Sequence, residues 1–222
     1  VLINGRPFDG VPAELAPVLA QYAERQGRTA VLGPDGSLRV EGPLAGQRFL
    51  IESDDPALEP LAAETAALLE MLGADAGSPS AIVGLGSGDG PVVGPAGLFR
   101  GEDRVLAGCL REGLQAHSGR QVREAPLLAR GWKPPAAAPA AVVLVPPGEV
   151  YSAVLGLTAG LLRFAGRTPE QIEALGLPDL LSEPLGDAGP DALLPTSDGQ
   201  WISPRARALQ ESEVVTPPAH QT

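Results

Sequence analysis

The chain has 222 residues and a mass of 22.7 kDa, enough for one ordinary domain with a sizeable core or for one domain with a small appendage. The 16 Lys and Arg residues against 27 Asp and Glu give a formal net charge of -11, which argues against nucleic acid as a partner, because a basic surface dominates affinity for a phosphate backbone. No uninterrupted apolar run is long enough for a membrane-spanning helix, and no basic segment followed by an apolar stretch opens the chain. We therefore expect neither a membrane span nor a retained signal peptide.

The first 45 residues predict a small α+β unit. An extended segment from Val1 leads into an Asn4-Gly5 turn, and apolar residues at helical spacing predict a helix around residues 15–22. The order Gly33-Pro-Asp-Gly36 between two β-prone segments predicts a hairpin, because proline presets one dihedral angle and glycine tolerates positive φ. Neither part carries obvious chemistry.

From residue 46 the pattern alternates between strand and helix. Strands are predicted at 48–53, 80–83, 121–123 and 140–145, and helices over 58–72, 105–114, 150–164 and 169–175. The segment 140–145 is apolar at every position, as a strand covered on both faces should be. This alternation predicts an α/β fold with an open, mostly parallel sheet flanked by helices.

These patterns predict three regions. Residues 1–45 form the leading unit, residues 46–185 form the α/β domain, and residues 186–222 form a tail rich in proline and glycine. A Pro/Ala-rich connector over 126–139 interrupts the second region, because it cannot form a regular helix.

A glycine-rich stretch at 84–97 follows the predicted strand 80–83 and is expected to be a loop. A dinucleotide-binding fingerprint fails here, because Asp89 stands where the third glycine belongs and Pro91 delays the helix start. A serine-hydrolase elbow also fails, because Leu85 and Asp89 flank Ser87 where that motif needs glycines.

Histidine and cysteine are too scarce for an ordinary zinc site. The chain has two histidines, His117 and His220, both expected at the surface, and one cysteine, Cys109, so it contains no internal disulfide. Five carboxylates near predicted strand ends or helix starts could hold a harder ion: Asp54, Asp55, Asp89, Glu102 and Asp103. The favoured interpretation is that they cap helices or offset helix dipoles.

The sequence of residues 81–107, AIVGLGSGDGPVVGPAGLFRGEDRVLA, resembles the zinc-dependent N-acetylmuramoyl-L-alanine amidases of bacterial cell walls. In that family a strand ends in a Pro-Gly-His-Gly-Gly turn, a Gly-Ala-x-Gly segment follows, and a Glu starts the next helix. The resemblance covers residues 80–120 and, more weakly, 140–165.

The resemblance implies a degenerate site. Ser87 stands in place of the first zinc-binding His, and Glu102, with one extra residue before it, is the only matching zinc ligand. Pro146 occupies the place of the catalytic Glu, and the second zinc-binding His has no counterpart. The resemblance therefore implies no metal, no cofactor, no catalytic residue and a cleft lined by Ser87, Asp89, Arg100 and Glu102.

The first hypothesis is a catalytically inactive, amidase-like domain that acts as a binding or assembly module in the bacterial cell envelope or outside the cell. Its ligand would be a peptidoglycan fragment or a protein partner. The alternative is an active metal-dependent cell-wall hydrolase, in which Asp54, Asp89 and Glu102 hold a metal such as zinc. A third hypothesis, a homo-oligomeric structural or assembly subunit, rests on the apolar helix predicted over 150–164 and on the Pro-rich tail.

Overall fold

The computed structural model describes residues 1–4, 6–7, 12–97, 101–126, 138–182, 194–195 and 201–202. These residues belong to two compact units, Val1–Pro184 and Leu185–Thr222. The finer division at residue 45 stays a prediction.

The leading segment forms a four-stranded sheet and one helix. The elements are β1 (Leu2–Ile3), β2 (Arg6–Pro7), α1 (Ala16–Arg25), β3 (Thr29–Leu32) and β4 (Leu38–Glu41), with strand order β2-β1-β4-β3. The predicted hairpin is confirmed: β3 and β4 pair antiparallel around a turn in which Gly36 has a φ of 77°. Asn4 has a φ of 50°, and its side chain bonds both backbone groups of Val40, with Nδ2 donating at 3.0 Å and Oδ1 accepting at 2.8 Å.

The second sheet has five strands and confirms the predicted α/β class. Its elements are β5 (Phe49–Ser53), α2 (Glu59–Met71), β6 (Ala81–Ser87), β7 (Val92–Pro95), α3 (Gly101–Ser118), β8 (Arg123–Glu124), β9 (Ala140–Val145) and α4 (Val150–Phe164). The strand order is β5-β6-β9-β7-β8. Strands β5, β6 and β9 are parallel, β7 runs antiparallel to β9, and β8 runs parallel to β7. As predicted, the apolar strand β9 is central.

The prediction of a loop from residue 84 to residue 97 is wrong. Strand β6 continues through Gly84 and Gly86 to Ser87, and β7 follows after a short turn. These glycines lie opposite Val142 and Leu144 of β9, and a Cβ atom on Gly86 would lie 2.9 Å from Cδ2 of Leu144. Gly86 therefore makes room for the side chain of Leu144 on the neighbouring strand.

Helices α2, α3 and α4 share one core with the second sheet. Alternate residues of β6 and β9 contribute to it, together with the largest buried leucines of the helices: Leu61, Leu68, Leu106, Leu110, Leu114 and Leu157. Burying one such side chain stabilises the fold by roughly 1.5–3 kcal/mol. Val105 of α3 is 57% exposed, whereas Leu106, Leu110 and Leu114 of the same helix are buried.

The backbones of α3 and α4 touch directly at three glycines. A Cβ atom on Gly156 would lie 2.7 Å from Cα of Leu114, and one on Gly160 would lie 2.7 Å from Cα of Leu110. A Cβ atom on Gly113 would lie 2.9 Å from Cα of Gly160. Only glycine fits these three positions, because the opposing atoms are backbone and cannot rotate away.

Two short helices complete the first unit, α5 (Pro169–Ala174) and α6 (Leu177–Ser182). The prediction of α5 is confirmed; Thr168 and Gln171 form a capping box at its start. Arg167, just before that box, donates from Nε and Nη2 to the carbonyl of Pro43 at 2.9 and 2.7 Å, and from Nη2 to Oγ1 of Thr29 at 3.0 Å. These bonds connect the end of α4 with the first sheet.

In the second unit, β10 (Leu194–Pro195) and β11 (Trp201–Ile202) pair antiparallel. Most of the predicted connector 126–139, and most of the predicted tail, lie outside the described residues. Across the described part of the chain, no helix is both long and apolar enough to cross a membrane.

We expect Gly160→Ala to lower the free energy of unfolding by about 1–3 kcal/mol, because the added methyl group forces the backbones of α3 and α4 apart. Gly108→Ala is the matched control in α3: a Cβ atom there meets nothing within 4 Å, so the better helix propensity of alanine should add up to about 1 kcal/mol. Urea unfolding measures both. Equal effects of the two substitutions would contradict the close contact.

Candidate functional site

The carboxyl ends of β5, β6 and β9 meet at one edge of the second sheet. Ser53 ends β5 and pairs with Leu85 of β6, whereas Ser87 ends β6 and pairs with Val145, the last residue of β9. We call this the strand-end site. Ligands of open α/β sheets bind beyond the carboxyl ends of the strands, so this edge is the first place to look for function.

The central contact of the strand-end site joins Ser87 to Asp55. The Ser87 hydroxyl donates a hydrogen bond to Oδ2 of Asp55, whose Oδ1 accepts from the backbone N–H of Ala57 at 3.0 Å. The Ser87 hydroxyl, and next the Ala57 amide, hold the pKa of the Asp55 carboxyl below its ordinary value. A carboxylate whose pKa is lowered is a weaker base than a free one, which does not favour activation of Ser87 as a nucleophile by Asp55.

Asp55 also fulfils the expected capping role, since it is the N-cap of a short 3-10 helix, Pro56–Leu58. The sequence indicates Asp55 and Ser87 as separate candidates and does not predict their pairing. The signal that could have found it is that each residue follows a predicted strand, Asp55 after 48–53 and Ser87 after 80–83, because parallel neighbours bring the segments after their carboxyl ends together.

Pro146 follows β9 and lies at the same edge as Ser87. The Gly88 N–H donates to the carbonyl of Val145 at 3.1 Å, and the Glu149 N–H donates to the carbonyl of Pro146 at 3.1 Å. The Glu149 carboxylate is occupied by an ion pair with Arg120 at 2.7 Å. Proline offers no side-chain group that could take a proton, and the neighbouring glutamate already has a cationic partner.

Glu102 lies at the opposite edge. The next residue, Asp103, accepts a hydrogen bond at Oδ1 from the N–H of Ala140 at 2.8 Å, and Ala140 is the first residue of β9, whereas Ser87 pairs with the last. A strand of this length separates its ends by roughly 16 Å. Glu102 and Ser87 lie apart because β7 runs antiparallel to β9 and returns the chain to the far edge of the sheet before α3 starts.

The residues predicted to share a cleft therefore do not form one site. Asp89 is exposed in the turn after Ser87, near the strand-end site, but Glu102 is exposed in the first turn of α3 at the other edge. Arg100 lies outside the described residues. The structure brings together Ser87, Asp55 and the segment after β9, and it separates all of them from Glu102.

The donor groups at the strand-end site do not fit zinc. A catalytic zinc takes three protein ligands, mostly imidazole or carboxylate, and keeps one position for water. Within the described ranges no three His, Cys, Asp or Glu side chains lie close enough to share a metal ion. The alternative set of Asp54, Asp89 and Glu102 is divided between the two edges of the sheet.

A second concave region lies among the helices. Residues of α3, α4, α5 and α6 enclose a pocket of about 340 Å³, and its polar lining residues are His117, Arg163 and Glu173. His117, expected at the surface, is instead partly buried, and this burial lowers the pKa of its imidazole. The pocket is not predictable from the sequence, because its lining combines residues of four helices, α3, α4, α5 and α6.

Comparison with known proteins leaves the family open. No family model and no curated protein matches the chain. Among solved structures, N-acetylmuramoyl-L-alanine amidase AmiC2 of Nostoc punctiforme is similar over 55% of this chain and 99% of that one, with 15% sequence identity and a TM-score of 0.40. A similarity of this size does not assign the chain to a family.

Asp103→Ala should lower the free energy of unfolding by about 1–3 kcal/mol, because it leaves the buried N–H of Ala140 without its acceptor. Asp103 is only 2% exposed, and Asp103→Asn keeps the Oδ1 acceptor and should cost less. Glu102→Ala in the same turn is the exposed control, expected within about 0.5 kcal/mol of the wild type. Thermal unfolding in which Glu102→Ala is the more damaging change would reject this assignment.

Ser87→Ala should raise the pKa of Asp55 toward its ordinary value of 3.8, because the largest cause of the depression is removed. Since folding depresses this pKa, the contact stabilises the fold at pH values above 3.8 and loses its effect as the pH falls through the lowered value. Carboxyl NMR titration measures the shift. Ser53→Ala is the control, because Ser53 bonds only the backbone of Asp55; an equal shift in both variants would argue against the contact.

Proposed function

We propose that this chain is a non-catalytic binding module of the bacterial cell envelope, built on an amidase-like α/β sheet. The observation that carries the proposal is the place of Ser87: it stands where the resemblance puts a zinc-binding His, and its hydroxyl is engaged by the carboxylate of Asp55. The one residue that matches a zinc ligand, Glu102, belongs to the far edge of the sheet.

The chemistry of amide hydrolysis supports this proposal. A zinc hydrolase needs a ligand set that lowers the pKa of a bound water and a base that takes its proton. Ser87 contributes a neutral hydroxyl, Pro146 contributes no base, and Glu149 is paired with Arg120. These side chains favour retention of a ligand over its cleavage.

A peptidoglycan fragment is the ligand class that we propose. In the turn after β6, residues 88–91, the Gly88 N–H and the Pro91 carbonyl already have backbone partners, but the space around Gly90 is open, so a peptide or a sugar can approach the backbone there. Asp55, whose Oδ1 and Oδ2 each hold one donor, retains lone pairs that can accept further bonds from amide N–H groups. The net charge of -11 disfavours the anionic polymers of the envelope and leaves uncharged sugars and peptides as the compatible partners.

The test combines zinc titration, hydrolysis and binding on the whole chain. We expect no stoichiometric zinc uptake at neutral pH by calorimetry, no release of peptide from muropeptides by chromatography, and measurable muropeptide binding. Asp55→Asn should weaken that binding roughly fivefold to tenfold, about the value of one ordinary hydrogen bond, because the amide oxygen of Asn still accepts but carries no charge.

Glu102→Gln, at the opposite edge, is the matched control and should bind like the wild type. Peptide release that depends on zinc would establish the alternative, an active hydrolase. A chain that binds no muropeptide, or one in which Glu102→Gln is the weaker binder, would overturn the proposed binding module.

A further inference from the structure

The pocket among α3, α4, α5 and α6 has the features of a small-molecule site. Its walls are mainly apolar or small: Gly113, Ala116, Ala159, Pro169, Ile172, Leu177 and Pro178. A volume of about 340 Å³ with such walls and a few polar groups is typical of ligand pockets in proteins. The described residues that line it all belong to α3, α4, α5 and α6, so the pocket is distinct from the strand-end site.

Rigid features of the fold hold the pocket open. Gly113 lines it and also meets the backbone of α4, which sets the distance between α3 and α4. The capping box of Thr168 and Gln171 fixes the start of α5, and Gln171 Nε2 donates to the carbonyl of Glu24 at 2.7 Å. A pocket that exists before its ligand arrives costs little conformational entropy to fill.

The charge around the pocket favours a cation. Glu173, an acidic residue of the lining, is exposed, and the guanidinium of Arg163, another lining residue, is paired with Glu112 at 2.8 Å. A second carboxylate of α5, Glu170, also lies within electrostatic reach of Arg163. With Arg163 neutralised by Glu112, the carboxylates of α5 leave an excess of negative charge.

His117 adds a hydrogen-bond acceptor. Burial lowers the pKa of its imidazole, so the ring is neutral at neutral pH and one ring nitrogen carries a lone pair. A neutral imidazole beside a carboxylate can accept hydrogen bonds from an ammonium group, which has three donors and no acceptor.

We propose that this pocket binds an aliphatic ammonium, with the alkyl chain against the apolar walls and the ammonium group between Glu173 and His117. The inference goes beyond the proposed function and does not depend on it. The same chemistry occurs in the lysine-type side chain of a peptide and in a free alkylamine, and the two sources need separate arms of the test.

The probes are n-hexylammonium, hexanoate and hexan-1-ol, titrated at pH 7.5 and followed by the NMR signals of Ala116 and His117. We expect n-hexylammonium to bind at least fivefold more tightly than either of the others, since all three share the alkyl chain and only the first has the complementary charge. Nα-acetyl-lysine methylamide represents the lysine side chain of a peptide. Tighter binding of this compound indicates a peptide ligand, and tighter binding of n-hexylammonium indicates a free alkylamine.

Two variants locate the ligand. Ala116→Leu should abolish binding, because Ala116 lines the pocket yet is exposed, so the larger side chain fills the space without overpacking the core. Glu173→Gln should weaken n-hexylammonium binding fivefold to tenfold, whereas Glu170→Gln, outside the lining, should change it less than twofold. Muropeptide binding at the strand-end site serves as a separate readout, which Ala116→Leu should leave unchanged.

Equal binding of the three six-carbon probes, a preference for hexanoate, or full binding by Ala116→Leu would overturn the proposal. So would the absence of n-hexylammonium binding. None of these results affects muropeptide binding at the strand-end site. Failure of this inference is therefore distinguishable from failure of the proposed function.

Discussion

The direct contact between the backbones of α3 and α4 is the constraint on which the remaining structure depends. Gly113, Gly156 and Gly160 bring the two helix axes close enough for their leucines to reach the sheet together with those of α2. Because Gly113 also lines the pocket, the contact that consolidates the core on one side sets the shape of a cavity on the other. The packing of α3 against α4 and the shape of the pocket therefore both depend on Gly113.

The direction of β7 determines which polar side chains of the second sheet lie close together. Strand β7 runs against β9, and the buried bond from the Ala140 N–H to Asp103 fixes the start of α3 at the edge where β9 begins. Residues that a linear motif places side by side, such as Ser87 and Glu102, are thereby divided between two edges. A motif match alone cannot reveal this division, because spacing along the chain carries no information about strand direction.

The sequence predicts those elements whose cause is local. Strand β9 and helix α4 follow from apolar runs, the hairpin from Gly33-Pro-Asp-Gly36, and the cap at Asp55 from its position before a proline. The strand through Gly84 and Gly86 is not predictable in this way, because glycine has little strand propensity and the segment is paired with β9, which lies more than 50 residues later in the chain. The hydrogen bond from Ser87 to Asp55 and the partial burial of His117 are also not predictable in this way, because the contacting residues are distant along the chain.

Arg167 has a consequence for how the chain acquires its structure during synthesis. Its guanidinium satisfies the carbonyl of Pro43, which lies 124 positions earlier, and the hydroxyl of Thr29. A ribosome therefore releases the whole first sheet long before the residue that completes its hydrogen bonding exists. Until α4 has emerged, water rather than that guanidinium is the partner available to the Pro43 carbonyl and the Thr29 hydroxyl.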